Sequence, residues 1–213
     1  MNEMSAGLDV SREASIAECR DTLREGFARL VRAYHEKPLT GPMLRGRAEL
    51  VDGVLQKLWC AFEMPASAVL MAAGGYGRNE LYPHSDVDIL ILLPEAEDHA
   101  LKAKISGLIT ALWDIGLEIG HSVRTVEECI DESAQDITVQ TNMLESRRLA
   151  GPAVLYDHFR SVLLANLSVP RFFKAKRAEQ EQRYARYEDT PYSLEPNSKE
   201  SPGGLRDLQM LVW

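Results

Sequence analysis

Apolar residues recur along the chain with two different periods, and the change of period divides it into three parts. Near the start, Ile16, Leu23, Phe27, Leu30 and Tyr34 fall on one helical stripe, with Cys19 beside it. The segment KPLTGP breaks that pattern, and Pro42 suits the first turn of a new helix. Leu44, Ala48, Val51, Leu55 and Leu58, spaced by four and three, predict a second helix over 42–62. The period then shortens. The apolar run at 68–73, stopped by Gly74 and Gly75, predicts a buried strand, and GGYGRNELYPHS a loop. DVDILILL at 86–93 predicts a second strand, ended by Pro94. Leu101, Ile105, Leu108, Ile109 and Leu112 share one face of a helix over 97–114. Ile115, Leu117, Ile119 and Val123 alternate with polar positions and predict a third strand over 115–124. Thr125 with Glu128 is a capping-box pattern. From 136 the signals are helical, over 136–149, 152–167 and 170–187, and a polar loop, EDTPYSLEPNSKESPGG, precedes an apolar tail.

These elements predict an α+β fold of α/β type. A small mixed β-sheet core at 64–134 is flanked by N-terminal helices at 1–63 and by a C-terminal helical bundle at 135–213. The helical pattern at 209–213 ends on Trp213 without a stop signal, which predicts the first part of a longer protein.

Composition changes this picture in one place. The net charge of −8 argues against a broad basic surface for nucleic acid. The charge is uneven: residues 61–135 hold four basic and thirteen acidic side chains. Either this is a solvated acidic surface or part of it binds a cation. Cys19, Cys60 and Cys129 lie far apart, which excludes a disulfide framework or zinc ribbon and predicts small, wholly or half-buried hydrophobes. There is no signal-peptide core and no run of about 18 apolar residues, so no membrane association is expected and the cytoplasm is the expected location.

The chemistry concentrates between residues 74 and 88. Glycines at a strand end let backbone N–H groups approach a phosphate without Cβ interference. Asp86 and Asp88, two apart on a strand, point to one face. Two carboxylates entering an otherwise apolar strand are costly unless a positive charge sits between them. Mg²⁺ supplies that charge, typically on one or two carboxylates and the phosphate oxygens of a substrate. Two such ions about 3.5–4 Å apart can hold the attacking and leaving oxygens of an in-line phosphoryl displacement. Ser85 is placed either to bind phosphate or to cap the turn. Arg78 is placed either to pair a triphosphate or to hold Glu80 or another carboxylate.

Strand, Gly-Gly, Asp-x-Asp, helix and strand in this order resemble the nucleotidyltransferase superfamily that includes DNA polymerase beta. GGYGRNELYPHSDVDILIL is closer still to the bacterial PII uridylyltransferase/uridylyl-removing enzymes. EIGHSVRTVEE at 118–128 is similar to that family's third core strand, DITVQTNMLESRRLAG at 136–151 to its next helix, and SKESPGGLRDLQMLVW at 198–213 to its KExPGGLRD motif. The resemblance implies a nucleotidyltransferase core that moves UMP from UTP, with Mg²⁺, to a tyrosine of the PII signal protein and releases pyrophosphate. It also implies that Asp86 and Asp88 bind metal and that Gly74 and Gly75 cradle phosphate. The superfamily adds a third carboxylate between hydrophobic neighbours, a setting that Glu118 fits. Asp136 or Glu145 are alternatives, and His121 is expected to be structural. Around Gly203 and Gly204, either Lys199 or Arg206 reaches phosphate as the loop closes over the nucleotide, or the loop starts a helix, with Arg206 and Asp207 pairing across domains. None of the five histidines forms the HD pair of the family's hydrolase domain. An adenylyltransferase-type or sensor-linked nucleotidyltransferase, or a non-catalytic module that binds nucleotide or PII, are the competing readings.

Overall fold

The computed structural model of the chain describes residues 2–95, 99–186 and 197–213, with the side chains of residues 2–10 left aside. Two helices come first, α1 (Asn2–Glu36) and α2 (Thr40–Ala61). They pack closely because glycines leave room: a Cβ on Gly26 would overlap Leu50, and one on Gly46 would overlap Leu30. The first helix begins well before the stripe that predicted it, since Met4, Ala6, Leu8 and Val10 alternate with other residues and form no helical stripe.

The core is a mixed four-stranded sheet in the order β3-β2-β1-β4. Strand β1 (Val69–Ala72) pairs antiparallel with both β2 (Val87–Leu93) and β4 (Arg147–Ala150), and β2 pairs parallel with β3 (Ile119–Thr125). The parallel pair needs a crossover, which α4 (His99–Asp114) provides. The two central strands are covered on both faces, which is why both read as unbroken apolar runs. Leu70, Ala72, Ile89 and Ile91 face the larger core, built with α2 and α4. Val69, Met71, Leu90 and Leu92 face the smaller one, with Cys129 of α5 (Val126–Gln135), Met143 of α6 (Ile137–Leu144), and Phe159 and Leu163 of α7 (Ala153–Ala165). Strand alternation then places the side chain of Asp88 on the face of the smaller core.

Four readings of the sequence are corrected. Gly74–Gly77 is a helical turn, α3, and not loop. Residues 136–149 are not one helix: α6 ends at Leu144, and Arg147–Ala150 crosses over as β4. That strand is short and carries two arginines, so it has no apolar run, and tertiary pairing makes it. The third strand starts at Ile119, because the buried Ile115 and Leu117 belong to the turn after α4. Cys60 is exposed, whereas Cys19 and Cys129 are buried thiols. The capping box at Thr125 forms as the pattern predicted, with the Thr125 hydroxyl accepting from Glu128 N and Thr125 N donating to the Glu128 carboxylate. Helix α8 (Val169–Arg186) and the short α9 (Leu205–Met210) complete the chain. Nine residues of the polar loop between them, 188–196, the end at 187 of the helix predicted from 170, and the start of the helix predicted at 97 lie outside the described residues.

Gly151 closes β4 against β1. Its φ is +91°, and a Cβ there would overlap the carbonyl of Ala68. Gly151→Ala is therefore expected to destabilise the fold by more than about 1 kcal/mol, read as a lower urea midpoint.

Candidate active site

Eight of the nine candidate residues line one cavity of about 700 Å³. Gly74, Gly75 and Arg78 come from α3 and its C-cap. Ser85, Asp86 and Asp88 come from the segment that enters β2. Lys199 and Arg206 come from the loop before α9 and its first turn. The ninth, Glu118, is an exposed residue just before β3 and is absent from the cavity wall. Its carbonyl accepts from Val87 N at 2.8 Å, and the register that pairs Asp88 with Gly120 sets Glu118 beside Asp86 at the strand ends. The alternatives to it have other partners: Asp136 caps α6 through Thr138 N and Val139 N, and Glu145 pairs with Arg78. His121 is exposed and meets the ring of Trp113 edge-on.

Asp88 sits tightly. Its carboxylate occupies the space that a side chain on Gly120 would take, and a Cβ on Gly74 would come within 3.4 Å of it. Gly74 also needs its glycine for a φ of +54°. Burial, and then the charge of Asp86, push the Asp88 carboxyl up, while Lys199 pulls it back down. Two carboxylates repel here, and among the described residues the Lys199 ammonium makes no hydrogen bond or ion pair of its own.

The first turn of α3 presents the amides of Gly74, Gly75 and Tyr76, which as the start of a helix lack intrahelical acceptors. This turn is anchored from behind. The Tyr76 hydroxyl donates to Asp52 of α2, and Arg147 of β4 forms a two-pronged pair with the same carboxylate at 2.7 and 2.8 Å. Burial, and then the Asp52 charge, drive the Tyr76 phenol far up, so it stays neutral. Arg78 lines the cavity and is paired at the same time. It is held by Glu80 at 2.9 Å and by Glu145, which also accepts from the Trp213 indole. Lys176 of α8 lies 4.0 Å from the centre of the Trp213 ring and pairs with Glu179.

Asp207 fixes the KESPGGLRD loop. It accepts from Gln180, Arg183 and Tyr184 of α8, and from the amide of Gly203 in its own loop. Burial alone would raise this carboxyl, but those hydrogen bonds and the Arg183 charge outweigh it and hold it below the ordinary range. Arg206 is engaged by Glu200 and Gln209, both at 3.3 Å. Of the three cations expected at the nucleotide, Arg78, Lys199 and Arg206, Lys199 is therefore the freest.

Sequence reasoning missed Asn142, Gly120, Lys176 and the Asp52–Tyr76–Arg147 anchor. Gly120 left a trace, as a glycine inside an alternating strand, which marks a close approach. The others are joined by long-range packing that leaves no local spacing to read.

Two family models match the chain: a nucleotidyltransferase domain over residues 55–138, and PII-uridylyltransferase over 171–213. Curated relatives named bifunctional uridylyltransferase/uridylyl-removing enzyme match it along most or all of its length. The one from Aromatoleum aromaticum is 56% identical over all of this chain and 25% of its own. Those from Nitrosospira multiformis and Bordetella avium are each 50% identical, over 91% and 97% of this chain and 22% of their own. The chain thus spans about a quarter of the length of these relatives.

The Asp207 cluster makes a prediction about pH. Its depressed carboxyl contributes stability above the ordinary aspartate pKa, and that contribution is lost as pH falls through the folded-state value. Asp207→Asn is expected to cost about 1–3 kcal/mol near neutral pH. In urea melts across a pH series, its gap to wild type should close on the acid side of about pH 4.

Proposed function

Matching these enzymes along its whole length, the chain belongs to the uridylyltransferase/uridylyl-removing enzyme family, and we propose that it is the part that transfers UMP from UTP to a tyrosine of a PII signal protein, with release of pyrophosphate. One observation carries this reading. The Gly-Gly turn, the Asp86/Asp88 pair and the loop lysine, far apart in sequence, line a single cavity.

The donor set suits Mg²⁺. Asp86 and Asp88 offer hard oxygen ligands, and burial with mutual repulsion makes a cation between them favourable. Among the described residues no group of three acidic, histidine or cysteine side chains could hold a metal. The pair therefore leaves coordination positions for the phosphate oxygens of the nucleotide. Bound Mg²⁺ would neutralise charge on the triphosphate during displacement. The chain's own residues do the rest. The amides of Gly74 and Gly75 and the Ser85 hydroxyl receive phosphate oxygens. Lys199 approaches the same phosphates from the loop. The phenolic oxygen attacks the α-phosphorus in line with departing pyrophosphate, and catalysis is positioning plus electrostatic stabilisation. Glu118 stays the candidate for the superfamily's third carboxylate, although it is exposed and lies outside the cavity wall. No helix among the described residues is long and apolar enough to cross a membrane. The cytoplasm is the location proposed with this activity.

Asp88→Asn is expected to reduce transfer of label from UTP to PII by at least 100-fold, with an unchanged circular dichroism spectrum. Near-normal transfer by this variant overturns the assignment. Offering each labelled nucleoside triphosphate in turn tests the choice of UTP, since an adenylyltransferase-type enzyme prefers ATP.

A further inference from the structure

Asp88 stands where two cavities meet. Besides the large one, a groove of about 300 Å³ opens over β3. Asp88 and Asn142 line both, and the walls are otherwise separate. The large cavity is walled by α3, the segment before β2, Thr138, Thr141 and Asn142 of α6, α8 and the C-terminal loop. The groove is walled by β3 and α6. It exists because β3 places two small residues on the face of Asp88: the register sets Gly120 opposite Asp88, and Ser122 opposite Leu90.

We propose that this groove seats the acceptor side chain, and that its walls select a phenol. The inference rests on the transfer reading above and adds where the acceptor enters. In-line displacement requires the attacking and leaving oxygens to lie on opposite sides of the phosphorus. With the triphosphate along Gly74, Gly75 and Ser85, the pyrophosphate leaves within the large cavity. The nucleophile therefore needs another approach to the Asp86/Asp88 pair, and the groove reaches Asp88. Its chemistry is divided. Val139 and Met143 of α6 form an apolar wall, while Asp88, Asn142 and Ser122, with His121 and Arg124 of β3, are polar. A phenol has the same division, a flat apolar ring with one polar tip. An aliphatic hydroxyl would leave the apolar wall unfilled. In the step, the phenolic oxygen bonds to the α-phosphorus, the bond from that phosphorus to the pyrophosphate oxygen breaks, and the phenolic proton passes to solvent.

The test fills the groove from two sides in the full-length enzyme, with Ser122→Tyr from the strand and Val139→Phe from the helix. Each is expected to lower kcat/KM for PII at least tenfold, with the calorimetric Kd for Mg·UTP within twofold of wild type. A variant that keeps both nucleotide affinity and wild-type kinetics toward PII overturns the proposal. So does loss of nucleotide binding in both variants, because the groove would then serve the nucleotide or the fold. If wild-type enzyme transfers nothing to PII from any nucleotide, the transfer reading itself fails. If wild type transfers and the filled variants keep pace, only the groove fails.

Discussion

A half-buried carboxylate organises this molecule. Asp88 enters the end of a strand whose other residues are apolar, and it fits only because Gly120 gives it the space of a missing side chain. Burial disfavours its charge, and so does Asp86. The fold tolerates that cost because the strand is held from both faces. Ile89 and Ile91 sink into one core and Leu90 and Leu92 into the other, so the strand cannot turn the acid out to water without exposing them.

The rest of the site is arranged by longer links. Asp52 on α2, Tyr76 on α3 and Arg147 on β4 form one buried cluster, which fixes the glycine turn relative to the sheet. Arg78, Glu145 and Trp213 form a second, which brings the end of the chain to the wall of the cavity. In both, a half-buried charge is paired with a carboxylate, and removing one partner would strand the other. These residues act by holding others in place.

Much of this was legible in the sequence, and the reason is local chemistry. The central strands announce themselves because burial on both faces demands continuous apolar runs. The Gly-Gly turn and the paired aspartates are readable because each depends on neighbours within two residues. The capping box at Thr125 is local in the same way. Strand β4 was invisible because its four residues follow no apolar period and are strand only through pairing with β1. The same holds for Asn142, which reaches the site because α6 folds back over β2. Arg78 was ambiguous for a related reason: its bond to Glu80 can be guessed from spacing, but the one to Glu145 spans 67 residues.

The anchoring of Asp207 bears on how the cavity can admit a guest. Three of its hydrogen bonds come from α8 and one from its own loop, so the loop that carries Lys199 has no swing independent of that helix. Loops that organise only around a ligand lose conformational entropy at the moment of binding, and affinity falls accordingly. Here that ordering is met when the protein folds. The cavity wall is set in advance, and widening it requires loop and helix to shift as one rigid body.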